Sequence, residues 1–170
     1  CKKVYEEDET TLRSIYGLHL SRHFENWLKE QKWMKSILKR ILGDNVYLHQ
    51  TKINIKNINF SSVWPYHRDF PFWHVFDHIP ENRMLNLVIF LDNVNPVNGV
   101  LKIIPNSHRE FLSREHENKV ISYTLEGSST SELLFGFSEE EIAYFAEKYG
   151  VKTTEGSAGS ALLFHPDLLH

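Results

Sequence analysis

Trp64-Pro65-Tyr66-His67-Arg68-Asp69-Phe70-Pro71-Phe72-Trp73-His74 holds an imidazole and a carboxylate one residue apart, His67-x-Asp69. On an extended strand, residues i and i+2 point to one face, so both side chains can converge on one metal ion. A second, distant His would complete the two-His, one-carboxylate arrangement of non-haem Fe(II) sites, which leaves coordination positions open. With 10 His and 22 Asp+Glu in 170 residues, the spacing alone is easily met by chance. The rest of the chain must supply the missing parts.

The length suits one domain with a buried core. A hydrophobic content of 41% and a charged content of 24% are ordinary for a water-exposed fold. The net charge of -3 offers no basic field, so no nucleic-acid partner is expected. No apolar run approaches the roughly 20 residues of a membrane span. The single cysteine, Cys1, excludes an internal disulfide. A cytoplasmic protein, monomeric or homodimeric, is expected.

Outward from the motif, residues 1–11 are polar and read as an arm. Thr11 to His19 alternates as a strand. Ser21 is placed to cap a helix through about Gln31, and a second helix spans Trp33 to Leu42, closed by Gly43. Val46 to Ile55 reads as a long strand. Its even-numbered face, Leu48, Gln50, Lys52 and Asn54, is mostly polar and either meets solvent or lines a polar cavity. Residues 57–63 form a loop. Met84 to Asp92 is the most apolar strand. The Asn/Pro/Gly-rich stretch 93–99 turns it back into Val100–Ile104 as a hairpin. Residues 113–135 form a surface excursion. Ser138 caps a helix from Glu139 to Tyr149, with three acidic residues at its positive end. A turn at 156–159 leads into a last strand, Ala161–His165. Hairpins outnumber helical crossovers, which predicts an antiparallel double sheet of jelly-roll type with helices outside. The distant ligand is His165 or His170.

Four segments together carry a resemblance. They are Val46-Tyr47-Leu48-His49-Gln50-Thr51-Lys52-Ile53-Asn54, His67-Arg68-Asp69-Phe70 with Trp73-His74, Asn98-Gly99 leading to Ile104-Pro105-Asn106-Ser107-His108, and Gly159 to His170. In this order they resemble the phytanoyl-CoA dioxygenase family of Fe(II)/2-oxoglutarate-dependent oxygenases, and within it the ectoine hydroxylase-like small-molecule hydroxylases. The resemblance implies a mainly β, double-stranded β-helix (a cupin-like jelly roll) with flanking helices. It implies a single domain over residues 1–170, with closing strands expected beyond His170.

The resemblance selects His170 over His165 and implies His67, Asp69 and His170 as metal ligands and catalytic centre. It places Gln50 and Asn54 toward 2-oxoglutarate and substrate and Trp73 at the substrate wall; beside these, Lys52 either approaches a co-substrate carboxylate or lies at the rim, and Phe72, next to Trp73, is a further candidate for substrate binding. The cofactors implied are Fe(II), 2-oxoglutarate as co-substrate, and O2. The implied reaction is hydroxylation of an unactivated C–H of an amino acid or amino-acid-derived compound. A carboxylate at position 69 favours hydroxylation over halogenation, since related halogenases put a small residue there. The alternatives are tailoring of a larger or carrier-bound natural product, and a non-catalytic jelly-roll metal-binding or sensor domain. The family's Arg for the distal carboxylate of 2-oxoglutarate is expected about ten residues beyond His170, a bidentate partner suited to a carboxylate. Pro71-Phe72 stands where ectoine hydroxylases carry Glu-Thr, so the substrate wall differs. Among the other histidines, His74 either orients the motif or packs beside Trp73, His108 belongs to a turn, and His165 lies near the pocket.

Overall fold

The computed structural model describes residues 1–6, 8–57, 64–112, 122–124, 132–134 and 136–170. Backbone contacts divide the described residues into two units, one within Cys1–Ser62, the other within Val63–Glu126 and Ser131–His170. All strand pairs are antiparallel, as the turn-rich sequence predicts.

In the first unit, β1 (Lys2–Tyr5), β2 (Leu12–Tyr16) and β3 (Lys52–Asn54) form a sheet in the order β1-β2-β3. The expected N-terminal arm is thus a paired strand. Beneath this hairpin, Arg13 and Glu6 are both buried and lie 3.6 Å apart. The long strand expected over 46–55 shrinks to β3. Its partner β2 ends at Tyr16, where Gly17 takes φ 75 and turns the chain into a 3-10 turn at Leu18–Leu20. Gly17 N donates to Thr51 O at 2.9 Å, and upstream of that bond β3 has no ladder partner. The helices α1 (Arg22–Glu30) and α2 (Lys32–Leu42) fall where the apolar spacing predicts. Ser21 precedes α1 without a side-chain cap; its carbonyl accepts from Glu25 N instead.

The second unit contains α3 (Phe70–Phe76), β4 (Asn86–Ile89), β5 (Leu101–Ile103), β6 (Ser122–Thr124), β7 (Glu132–Leu134), α4 (Glu139–Tyr149), β8 (Lys152–Thr154) and β9 (Ala161–Phe164). The hairpin expected between β4 and β5 does not form. β4 pairs with β9, and β5 pairs with β8. Alternation identifies a strand but not its partner. Here the 93–99 connection is fastened across to the 156–158 turn, by a Val94–Gly156 bridge and by Ala158 N donating to Asn93 Oδ1. Within the expected excursion, β6 pairs with β7; its other residues, and residues 58–63 of the loop expected at 57–63, lie outside the described residues.

α4 begins as its sequence dictates. Ser138 and Glu141 form a reciprocal capping box, and Gly150, at φ 73, closes the helix. Its Phe145 is fully buried with Ile104, Phe137 and Leu169, and this cluster is the core of the unit. Leu169 is the neighbour of His170, so burial of the core fixes the chain on which that histidine rides.

Candidate metal centre

His67 lies in an extended segment bridged to Gly136. Asp69 does not continue that strand. It takes φ -78 and ψ -38 and stands at the N-cap of α3. Pro71 accounts for this break: it falls in the first helical turn, where its missing N–H costs nothing and its fixed φ favours the helix. The two ligands therefore converge across a strand-to-helix step, not along one strand face.

The third ligand arrives on a buried segment. Ser107, in the turn after β5, is fully buried. Its hydroxyl donates to Ile104 O at 2.7 Å and accepts from Leu169 N at 2.9 Å. Asn106 makes the turn possible by taking φ 62, a left-handed conformation that Asn tolerates. Ile104 N donates to Leu169 O, and His67 and His170 exchange backbone bonds at 3.1 and 3.3 Å. Asp69 N and Phe70 N both donate to Pro166 O. The Pro105-Asn106-Ser107-His108 turn thus supports the His170 segment, and that segment supports the His67-Asp69 segment.

The side chains meet as a triad. The ligand atoms of His67, Asp69 and His170 lie within 4.8 Å of one another. His67 Nε2 is 3.5 Å from Asp69 Oδ1, and His170 Nε2 is 3.5 Å from Asp69 Oδ2. His67 Nδ1 is 2.9 Å from Pro65 O, and His170 Nδ1 is 2.9 Å from Leu168 O. A carbonyl only accepts, so each Nδ1 carries a proton and each Nε2 offers its lone pair inward. Burial raises the pKa of the Asp69 carboxyl. When the histidines also carry a proton at Nε2, the hydrogen bond from His67, the charges of His170 and His67, and the Asn86 amide outweigh it and hold the group down to about 2; a bound metal would take the place of those Nε2 protons. Two neutral imidazoles and one ionised carboxylate are a donor set for a divalent transition metal.

Asn86 is a contact of the candidate centre that the motif reading passes over. Its amide donates to Asp69 Oδ2 at 2.7 Å. The signal was present: a polar amide inside the most apolar strand. Register places Asn86 opposite Phe164, whose ring lies 4.8 Å from that of His170. One strand pair thereby steadies both the carboxylate and the distal histidine.

The other candidates distribute plainly. His165 is outside the triad: its Nδ1 accepts from Asp167 N at 3.2 Å, and its ring lies 5.4 Å from that of His108. His74 fastens the end of α3, its Nδ1 2.7 Å from Ile79 O and its ring against Phe70. Trp73 is buried, while Phe72 is 40% exposed and packs on Phe76 at 4.8 Å. Gln50, Lys52 and Asn54 belong to the first unit. Lys52 lies in β3 with its ammonium 5.2 Å from the Tyr16 ring centroid, Asn54 is exposed at the end of β3, and Gln50 precedes it, also exposed.

Comparison with known proteins gives a consistent result. The family model for phytanoyl-CoA dioxygenase (PhyH) matches residues 1–170. An L-proline trans-4-hydroxylase from Streptomyces griseoviridis is 30% identical over 169 residues, 98% of this chain and 63% of that protein. An ectoine dioxygenase from Sphingopyxis alaskensis is 32% identical over 168 residues, 98% of this chain and 54% of that protein. Crystal structures of EctD from S. alaskensis share the fold. The form with bound Fe superposes with a TM-score of 0.80 at 28% identity, covering 99% of this chain and 53% of that one. The form with 2-oxoglutarate and 5-hydroxyectoine gives 0.74 at 29%, covering 93% and 49%. The chain thus spans about half to under two-thirds of the length of the proteins it matches. In the described residues, no helix is long and apolar enough to cross a membrane.

Proposed function

Since the chain belongs to the phytanoyl-CoA dioxygenase family, we propose that it is the metal-centre portion of an Fe(II)- and 2-oxoglutarate-dependent dioxygenase. It hydroxylates an unactivated C–H of a small polar substrate, an amino acid or amino-acid-derived compound. The observation that carries this reading is the triad: two histidines with Nδ1 tied to carbonyls and Nε2 turned toward an ionised Asp69. When bound, iron with 2-oxoglutarate supplies the O2-dependent oxidation, with decarboxylation to succinate.

The chain's own residues hold and shield that centre. His67 and His170 bind through Nε2. Asp69 contributes the negative charge, and Asn86 fixes its orientation. Phe164, its ring tilted against that of His170, limits water on that side. Phe72 and Phe76 form an apolar pair on α3. We assign Phe72 and Trp73 to the substrate wall, which favours a substrate with more apolar surface than ectoine. Roles for Gln50 and Asn54 toward 2-oxoglutarate rest on the sequence resemblance, and that of Lys52 on its place in the same strand. We place the enzyme in the cytoplasm as a monomer or homodimer, on the sequence alone. The nested antiparallel pairs β4–β9 and β5–β8 support a double-stranded β-helix for the second unit.

The test uses the full-length protein. Anaerobic addition of Fe(II) and then 2-oxoglutarate is expected to give the visible charge-transfer band of a chelated site. With O2, succinate release should rise on adding one member of a panel of free amino acids, ectoine and carrier-bound aminoacyl compounds. Asp69→Ala should abolish both signals. A wild-type protein without the band at saturating Fe(II) and 2-oxoglutarate overturns the proposal.

A further inference from the structure

We infer that Arg68, the residue between the two ligands of the first segment, is a positioning residue that sets the distance between that segment and His170. The inference rests on the metal-centre reading above. Arg68 is 1% exposed. A buried guanidinium is costly, and an apolar side chain of similar volume would fill the same space more cheaply. The geometry shows what the charge is used for. Nη1 donates to Ser107 O at 2.9 Å and also to Asp167 O, and Nη2 donates to Glu110 O at 2.7 Å. One planar fork therefore holds three backbone carbonyls, a span that no other side chain provides. Each carbonyl belongs to a segment that builds the triad: the turn at 107–110, or the run from Pro166 to His170.

The clamp is itself anchored. The guanidinium lies 4.7 Å from the Phe111 ring centroid, 5.4 Å from that of Phe137 and 5.6 Å from that of Phe145. Glu110, whose carbonyl it holds, is pinned to α4 by its own carboxylate. Tyr144 Oη and Tyr149 Oη each donate to it at 2.5 Å, and Lys148 Nζ at 2.9 Å. Force thus passes from α4 through Glu110 to Arg68, and from Arg68 to the carbonyl three residues before His170. His67 and Asp69 face the metal side of the segment, while Arg68 reaches behind it and fastens the far ligand.

The experiment uses Co(II) alone as the probe, titrated into metal-free full-length protein and read by its ligand-field absorption. Arg68→Met is expected to lower Co(II) affinity about 10- to 100-fold, the range for residues that orient ligands, and to change the shape of the absorption. Arg68→Lys should recover only part of the loss, because one ammonium cannot span three carbonyls. Met34→Ala, a core truncation in the first unit, controls for general destabilisation and should leave affinity and spectrum unchanged at a comparable loss of melting temperature. If Arg68→Met does not fold, Arg68→Lys is judged by the same measures. A folded Arg68 variant with wild-type affinity and spectrum overturns the inference while leaving the metal centre intact. Failure of the wild type to take up Co(II) overturns the metal-centre reading, and this inference with it.

Discussion

Asn86 lends itself to a quantitative test, because it makes one defined contact with the centre. Asn86→Leu keeps the heavy-atom count and the branch point of the side chain while removing the amide that donates to Asp69 Oδ2 at 2.7 Å. A hydrogen bond to a charged group contributes about 1.5–3 kcal/mol. At about 1.4 kcal/mol per tenfold, the variant should bind a divalent metal about 10- to 150-fold more weakly. That range overlaps the roughly 10- to 100-fold known for residues that orient ligands. The Asp69 carboxyl, held down to about 2 in part by this amide, should titrate higher. The assay is competition for Co(II) against a chromophoric chelator at neutral pH, with thermal melting of the metal-free protein in parallel. Melting should show a folded protein, since Asn86 lies at the end of β4 and its backbone pairing with Phe164 is untouched. A folded variant with affinity within about twofold of wild type would refute the claim that the amide orients the ligand.

Three further outcomes follow from local physics. Ser138→Ala removes the side-chain half of the capping box on α4 and should cost about 1 kcal/mol in urea unfolding, with partial rescue by Ser138→Asp. Phe145→Ala empties the centre of the Ile104–Phe137–Leu169 cluster and should cost about 3–5 kcal/mol, with weaker metal binding because Leu169 adjoins His170. The Glu110 carboxyl is held at about 2 by Lys148, Tyr144 and Tyr149. Its folded-state value lies below its unfolded value of 4.5, so its contribution is full above that pH and is lost as pH falls from 4.5 toward 2. The melting-temperature gap between wild type and Glu110→Gln should therefore be open at pH 7, narrowed at pH 3 and closed only below about pH 2.

Some of this was readable from residues alone. The helices α1, α2 and α4 have clear apolar spacing, and their ends carry Gly43 and the Ser138–Glu141 box, so local rules suffice. Strand partners were not readable in the same way. Nothing local in Leu101–Ile103 says that it pairs with Lys152–Thr154 rather than with the neighbouring Asn86–Ile89, because ladder bonds are identical for any sequence. The long strand at 46–55 was over-read because its length depends on where β2 stops, and Gly17 decides that. Of the candidate site, the donor chemistry of His67 and Asp69 was visible, His170 was separated from His165 only by the family resemblance, and the geometry that brings them together was misjudged: Pro71 starts a helix where a strand was expected. Asn86 and Arg68 were legible only as anomalies, a polar residue in an apolar strand and a charge between two ligands.

The centre divides its construction between near and far contacts, and the division has a consequence for mutagenesis. Both histidines take their tautomer from the carbonyl two residues earlier, Pro65 for His67 and Leu168 for His170. These bonds use main-chain atoms, so substitution at position 65 leaves the acceptor in place. The carboxylate and the spacing instead depend on side chains from elsewhere: Asn86 across β4, Ser107 under Leu169, and Arg68 against the carbonyls of Ser107, Glu110 and Asp167. Sensitivity to substitution should therefore concentrate at residues distant in sequence from the ligands they serve. Each histidine can be oriented by its own short segment before the fold is complete. The triad itself exists only once the 104–110 turn, α4 and the 166–170 run have packed on the His67–Asp69 segment, which couples metal affinity to the stability of the second unit.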